Sequence, residues 1–88
     1  MDSIQIEAIG FLAAIFTTSA FVPQVYKTWK TKEVADISLV MYLAMFFGVS
    51  LWLVYGINIK SPSMIVANSV TMLLVMMVII FKIRYQKK

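Results

Sequence analysis

An all-α membrane protein of three transmembrane helices is the fold class this sequence predicts. Three observations predict it. The composition is 61% hydrophobic and only 14% charged, whereas a soluble domain carries about 25% charged residues to face water. Residues 8–26, 37–59 and 61–81 carry no formal charge, and each run reaches the ~20 residues that a helix needs to cross about 30 Å of hydrocarbon. The runs also lack the alternating polarity that the ~10-residue strands of a membrane barrel require. A small soluble bundle would need shorter, interrupted apolar runs. At 88 residues the chain is read as a single domain, with helices over about residues 5–28, 37–58 and 62–84.

The first helix is preceded by Asp2 and Glu7 and lacks a basic leader, so a cleaved signal peptide is not expected. Pro23 falls inside this helix. It removes one backbone hydrogen bond and crowds the preceding turn, which predicts a kink near residues 19–23. A static bend and a hinge both fit it. Residues 29–35 read as a short polar loop, after which Asp36 or Ser38 can cap the second helix. A very short turn over residues 58–61 follows. Ser61-Pro62 opens the third helix, with the serine at the cap and the proline in the first turn.

Charge sets the expected orientation. Lys27, Lys30, Lys32, Lys82, Arg84, Lys87 and Lys88 flank one end of the three runs, and Lys60 alone flanks the other. Positive loops stay in the cytoplasm, so in a multi-pass plasma-membrane protein the N-terminus is expected outside and the C-terminus inside. The basic tail directly abuts a membrane helix. It suits anionic lipid headgroups rather than nucleic acid. Tyr26, Trp29 and Tyr85 read as interfacial anchors at that end.

Chemistry is sparse. The chain has no cysteine and no histidine, and its four acids, Asp2, Glu7, Glu33 and Asp36, lie at the ends of the charge-free runs. No metal cluster, nucleophile–base pair or glycine-rich phosphate loop is visible, so neither an enzyme nor a cofactor is expected. No ionisable residue lies within a run. Coupled pumps and small multidrug exporters place such groups in the membrane, so a passive carrier or a structural protein is expected.

Polar residues in the runs are informative because each needs a partner in hydrocarbon. Thr17, Thr18, Ser19, Ser50, Ser69 and Thr71 can bond to their own helix carbonyls. Asn68 has two donors and an acceptor and cannot satisfy them all that way. Trp52 lies about 8 Å inside the second helix and Asn68 about 9 Å inside the third, so the two share one layer. An indole plate beside an amide suits a sugar, whose C–H groups stack and whose hydroxyls need partners. Equally, Asn68 can join two helices and Trp52 can be an anchor. Three helices meet along one line and cannot enclose a sugar, so a pathway requires at least two copies. The charge bias orients both copies alike, placing a two-fold axis along the membrane normal.

Phe21-Val22-Pro23-Gln24 is the Pro-Gln motif of PQ-loop membrane proteins. Together with Asp36-Ile37-Ser38, Met41-Tyr42, Gly48, Trp52-Leu53-Val54-Tyr55-Gly56 and Ala67-Asn68 with Val70-Thr71, it resembles the SemiSWEET half-transporters, prokaryotic relatives of the SWEET sugar carriers. The resemblance covers nearly the whole chain. It implies a bundle with helix three between helices one and two, and a parallel homodimer that moves mono- or disaccharides down their gradient by alternating access. It implies that Trp52 and Asn68 line a central pocket, that Pro23, with Phe21 and Gln24, forms a hinge at the inner gate, and that Tyr55 helps to close an outer gate. Family members often pair that tyrosine with an arginine and an aspartate. Here the turn reads Asn58-Ile59-Lys60-Ser61, so Lys60 only approximates the arginine and no acid follows it. A carrier of another solute, such as an amino acid, and a non-transporting assembly or receptor protein are the competing functions.

Overall fold

The computed structural model describes residues 2–86, so Lys87 and Lys88 of the expected basic tail lie outside the described residues. Three helices follow one another: α1 (Ser3–Thr31), α2 (Leu39–Asn58) and α3 (Pro62–Tyr85). Each is long and apolar enough to cross a membrane.

The helix ends follow from local capping. Asp2 and Gln5 form a reciprocal capping box, so α1 starts earlier than expected: the Asp2 carboxylate accepts from the Gln5 N–H at 2.8 Å, and the Gln5 side-chain oxygen accepts from the Asp2 N–H at 3.2 Å. At the other end Lys32 adopts the left-handed conformation (φ 59°) and donates its N–H to the Thr28 carbonyl. Ser38, not Asp36, caps α2, accepting from the Met41 N–H at 3.2 Å. Ser61 caps α3 and Pro62 opens its first turn. Pro23 does not interrupt α1, which is continuous from Ser3 to Thr31.

Helix α3 packs against both neighbours. Among the described residues no Cα of α1 comes within 8 Å of one in α2, so the spatial order is 1-3-2. The chain direction makes α1 and α3 parallel and α2 antiparallel to both. At 1.5 Å per residue α2 is about 30 Å long and α1 about 44 Å, so α2 matches the hydrocarbon while α1 overshoots it. The two ends differ in character. One carries the α2–α3 turn, here called the turn end. The other, the basic end, carries Lys27, Lys30, Lys32, Lys82 and Arg84.

Few side chains are buried within one chain. Val75 is fully buried at the centre of α3, with Val78 and Val25 nearly so, while most large apolar side chains along α1 and α2 are exposed. Between helices in lipid there is little hydrophobic drive, and close backbone approach through small residues takes its place. Two glycines provide it at the turn end. A Cβ on Gly10 would lie 2.8 Å from the Ser63 Cβ, and one on Gly56 would lie 2.9 Å from the Met64 Cβ. The first turn of α3 is wedged between these two glycines.

Candidate functional site

The Gly56–Met64 contact sets the register of α2 against α3. Trp52 lies one turn from Gly56 toward the basic end, and Asn68 lies one turn from Met64 in the same direction. Both are therefore about 6 Å below the contact, at one level and on adjoining faces. Trp52 is 57% exposed, and its indole meets the Tyr55 ring edge-on at 5.6 Å and 90°. Asn68 is half-buried and donates from Nδ2 to the Met64 carbonyl at 2.8 Å. That bond occupies one donor and leaves the amide oxygen and the second N–H available. Neither residue lines any of the four main surface cavities of the single chain. An uncovered indole and a partly free amide at one level can offer a stacking face and hydrogen bonds to a polyhydroxy ligand.

The hydroxyls behave more locally. Thr17, Ser50 and Thr71 donate to the carbonyls of Ala13, Phe46 and Ala67, four residues back in each case.

Pro23 and Gln24 are exposed on α1, and the Gln24 carbonyl accepts from the Thr28 hydroxyl at 2.9 Å. Phe21 reaches across to α2, where its ring packs edge-on against Tyr42 at 6.5 Å. This aromatic pair joins two helices whose backbones do not touch. Tyr55 turns its ring to Trp52, and Lys60 sits in the left-handed conformation (φ 58°) in the turn. Among the described residues the aromatic partner of Tyr55 is Trp52, and the two cation–π contacts, Lys30 with Tyr26 and Lys32 with Tyr85, are both at the basic end. There Lys82 also donates to the Val34 carbonyl at 2.8 Å. No three acidic side chains gather as a metal site among the described residues.

One polar cluster is absent from the sequence expectation. Its centre is Glu7, the residue just before the first charge-free run. It lies inside α1, past the first turn, and points its carboxylate at the start of α3. Its Oε1 accepts from the Ser61 hydroxyl, and its Oε2 accepts from the Ser63 hydroxyl and, at 3.0 Å, from the Ser63 backbone N–H. Both serines are buried, at 7% and 4% exposure. The sequence carries a partial signal for this cluster. Glu7 and Gly10 are three apart and share a helix face, and Ser61-Pro62-Ser63 is serine-rich for a helix start. What is missing from the sequence is that this face of α1 meets α3 rather than α2.

Known proteins match nearly the whole chain. Residues 5–88 match the family described as sugar efflux transporter for intercellular exchange. The sugar transporter SemiSWEET of Bradyrhizobium diazoefficiens is 46% identical over 85 residues, which is 97% of this chain and 99% of that protein. Its counterpart in Leptospira biflexa is 44% identical over 75 residues, 85% and 88% of the two chains. Among solved structures, a bacterial homologue of SWEET transporters superposes with a TM-score of 0.87 at 41% identity, covering 93% of this chain and 99% of that one. A SemiSWEET in the inward-open conformation superposes with a TM-score of 0.83 at 39% identity, covering 90% and 92%.

Proposed function

Because the chain belongs to the SemiSWEET family of sugar transporters, we propose that it carries mono- or disaccharides across the membrane, uncoupled and by alternating access, as a parallel homodimer with its pathway on the two-fold axis. The observation that carries this reading is the level shared by Trp52 and Asn68. An indole 57% exposed and an amide with unused hydrogen-bonding capacity are incomplete in one chain, and a second copy across a two-fold axis completes them into a pocket. The pocket then holds two indoles and two amides. Indole faces stack on the C–H side of a sugar ring, and the amides exchange hydrogen bonds with its hydroxyls.

The remaining assignments follow the same frame. The basic end faces the cytoplasm, which leaves the N-terminus and the α2–α3 turn outside. Pro23, with Phe21 and Gln24, is the hinge and inner gate. The contact of Phe21 with Tyr42 links bending of α1 to α2. Tyr55, seated against Trp52, and Lys60 form the outer gate around the axis. No charge lies in the middle of the spans, between Glu7 and Lys27 on α1 and throughout α2, which supports passage without a coupled ion.

The test is a panel of radiolabelled sugars offered to purified protein in proteoliposomes. Uptake by the unaltered chain is expected for at least one sugar, with a loss of tenfold or more for Trp52→Ala and for Asn68→Ala. Undiminished uptake by both variants would remove the pocket. Thermal stabilisation by amino acids and by no sugar would reassign the cargo.

A further inference from the structure

We propose that Glu7 is a positioning residue for transport: its carboxylate clasps the turn-end portion of α1 to the first turn of α3, so that the two move as one body and α1 bends only toward its basic end. The inference rests on the reading above that the chain is a carrier.

Three donors converge on one carboxylate. The Ser61 hydroxyl meets one oxygen, and the Ser63 hydroxyl and backbone N–H meet the other. Bonds to an ionised acceptor are about twice as strong as neutral ones. The start of α3 is also where unpaired N–H groups and the helix dipole favour negative charge. Ser61 already spends its oxygen on the Met64 N–H as the cap of α3, so Glu7 extends that cap across to another helix. Opening the clasp would leave the buried Ser61 and Ser63 hydroxyls and the Ser63 N–H without their acceptor, which is costly.

The packing under the clasp is equally specific. Gly10, one turn along α1, brings its backbone against Ser63, where any side chain would collide. Glu7 and Gly10 thus hold Ser63 between a hydrogen-bonding group and a bare backbone. Since α1 and α2 make no backbone contact among the described residues, α3 is what anchors α1 at this end. From Glu7 to Pro23 is about 24 Å of helix. With one end clasped, a displacement at the basic end is taken up at Pro23 and not by peeling α1 away from α3. The surface beside the clasp is an open cavity of about 630 Å³ that Glu7 shares with Ser3, Lys60 and Pro62. Lys60 is the cation nearest in sequence to the clasp, and it lines that cavity without belonging to the hydrogen-bonded cluster.

The experiment is initial-rate uptake into proteoliposomes over a concentration series of a sugar the unaltered protein carries. Glu7→Gln is expected to lower the maximal rate about tenfold and leave the half-saturating concentration unchanged, because the pocket is intact and its exchange between states is impaired. Exchanging the groups, Glu7→Ser together with Ser63→Asp, restores a carboxylate–hydroxyl pair at the same place and is expected to recover at least half of the rate. If Glu7→Gln does not assemble, Ser61→Ala with Ser63→Ala keeps the carboxylate and removes both hydroxyls, with a rate loss of threefold or more expected. A wild-type maximal rate in Glu7→Gln, a change confined to half-saturation, or no recovery in the exchanged pair overturns the clasp. An unaltered protein that carries no sugar overturns the carrier reading instead.

Discussion

The two ends of α3 are fastened by opposite chemistry. At the turn end an acid from α1 accepts from the serines of the first turn. At the basic end Lys82 donates to the Val34 carbonyl in the α1–α2 loop, and Lys32 lies over the Tyr85 ring at 5.5 Å. Both arrangements complement the helix dipole, negative charge at the N-terminus and positive at the C-terminus. They differ in what they join. The turn end locks helix to helix, with Gly10 and Gly56 removing the side chains that would keep the backbones apart. The basic end ties a helix to a loop through a long, jointed side chain. A fastening of the first kind holds a rigid body together. One of the second kind lets the loop follow when the helix moves. The hinge proposed at Pro23 would use that asymmetry.

The largest effect that can break this comparison comes from the glycines. Gly10→Val places a branched side chain where even a Cβ collides with Ser63, and it is expected to cost about 3 kcal/mol or more. It should show as loss of the folded species in detergent-solubilised protein. Gly48, by contrast, has open space around an added Cβ. Gly48→Ala should be neutral or stabilise by up to ~1 kcal/mol through helix propensity. Equal melting temperatures for the two variants would show that the turn end is not tightly packed.

Next in size is a pair of charge removals. Glu7→Gln is expected to lower the melting temperature more than Lys82→Met does, because the acid serves buried donors and the lysine a single carbonyl. The single bond from the charged lysine is worth about 2 kcal/mol. The reverse order would make the basic end the rigid one. The smallest effect sharpens the comparison at the chain reversals. Lys32 and Lys60 both adopt left-handed backbone, at φ 59° and 58°, which costs a non-glycine residue roughly 1 kcal/mol. Lys32→Gly and Lys60→Gly should each stabilise by somewhat less than that, measured by thermal unfolding.

Much of this was legible in the residues themselves. The charge-free runs announced three crossings, and Ser61-Pro62 announced the start of α3. The boundary of α1 was less legible. A charge marks where a charge-free run ends but not where its helix ends: the Asp2–Gln5 capping box starts α1 earlier and carries Glu7 inside it. Likewise Ser38 capped α2 where Asp36 was an equal candidate. The hydroxyls of Thr17, Ser50 and Thr71 bonded to their own helices as their chemistry allows. Asn68 did so with only one of its donors.

By itself, then, the sequence determined the solvent, the number of spans and the level of Trp52 and Asn68, because hydropathy, helix rise and capping act over a few consecutive residues. Only the tertiary structure decided what Glu7 is for. Which face of α1 meets which helix depends on α3 lying between α1 and α2, and the contact between Glu7 and Ser63 spans 56 positions of chain. No local rule reaches that far. The carboxylate before the first charge-free run is a partner of α3 because the glycine at position 10 lets the two backbones close.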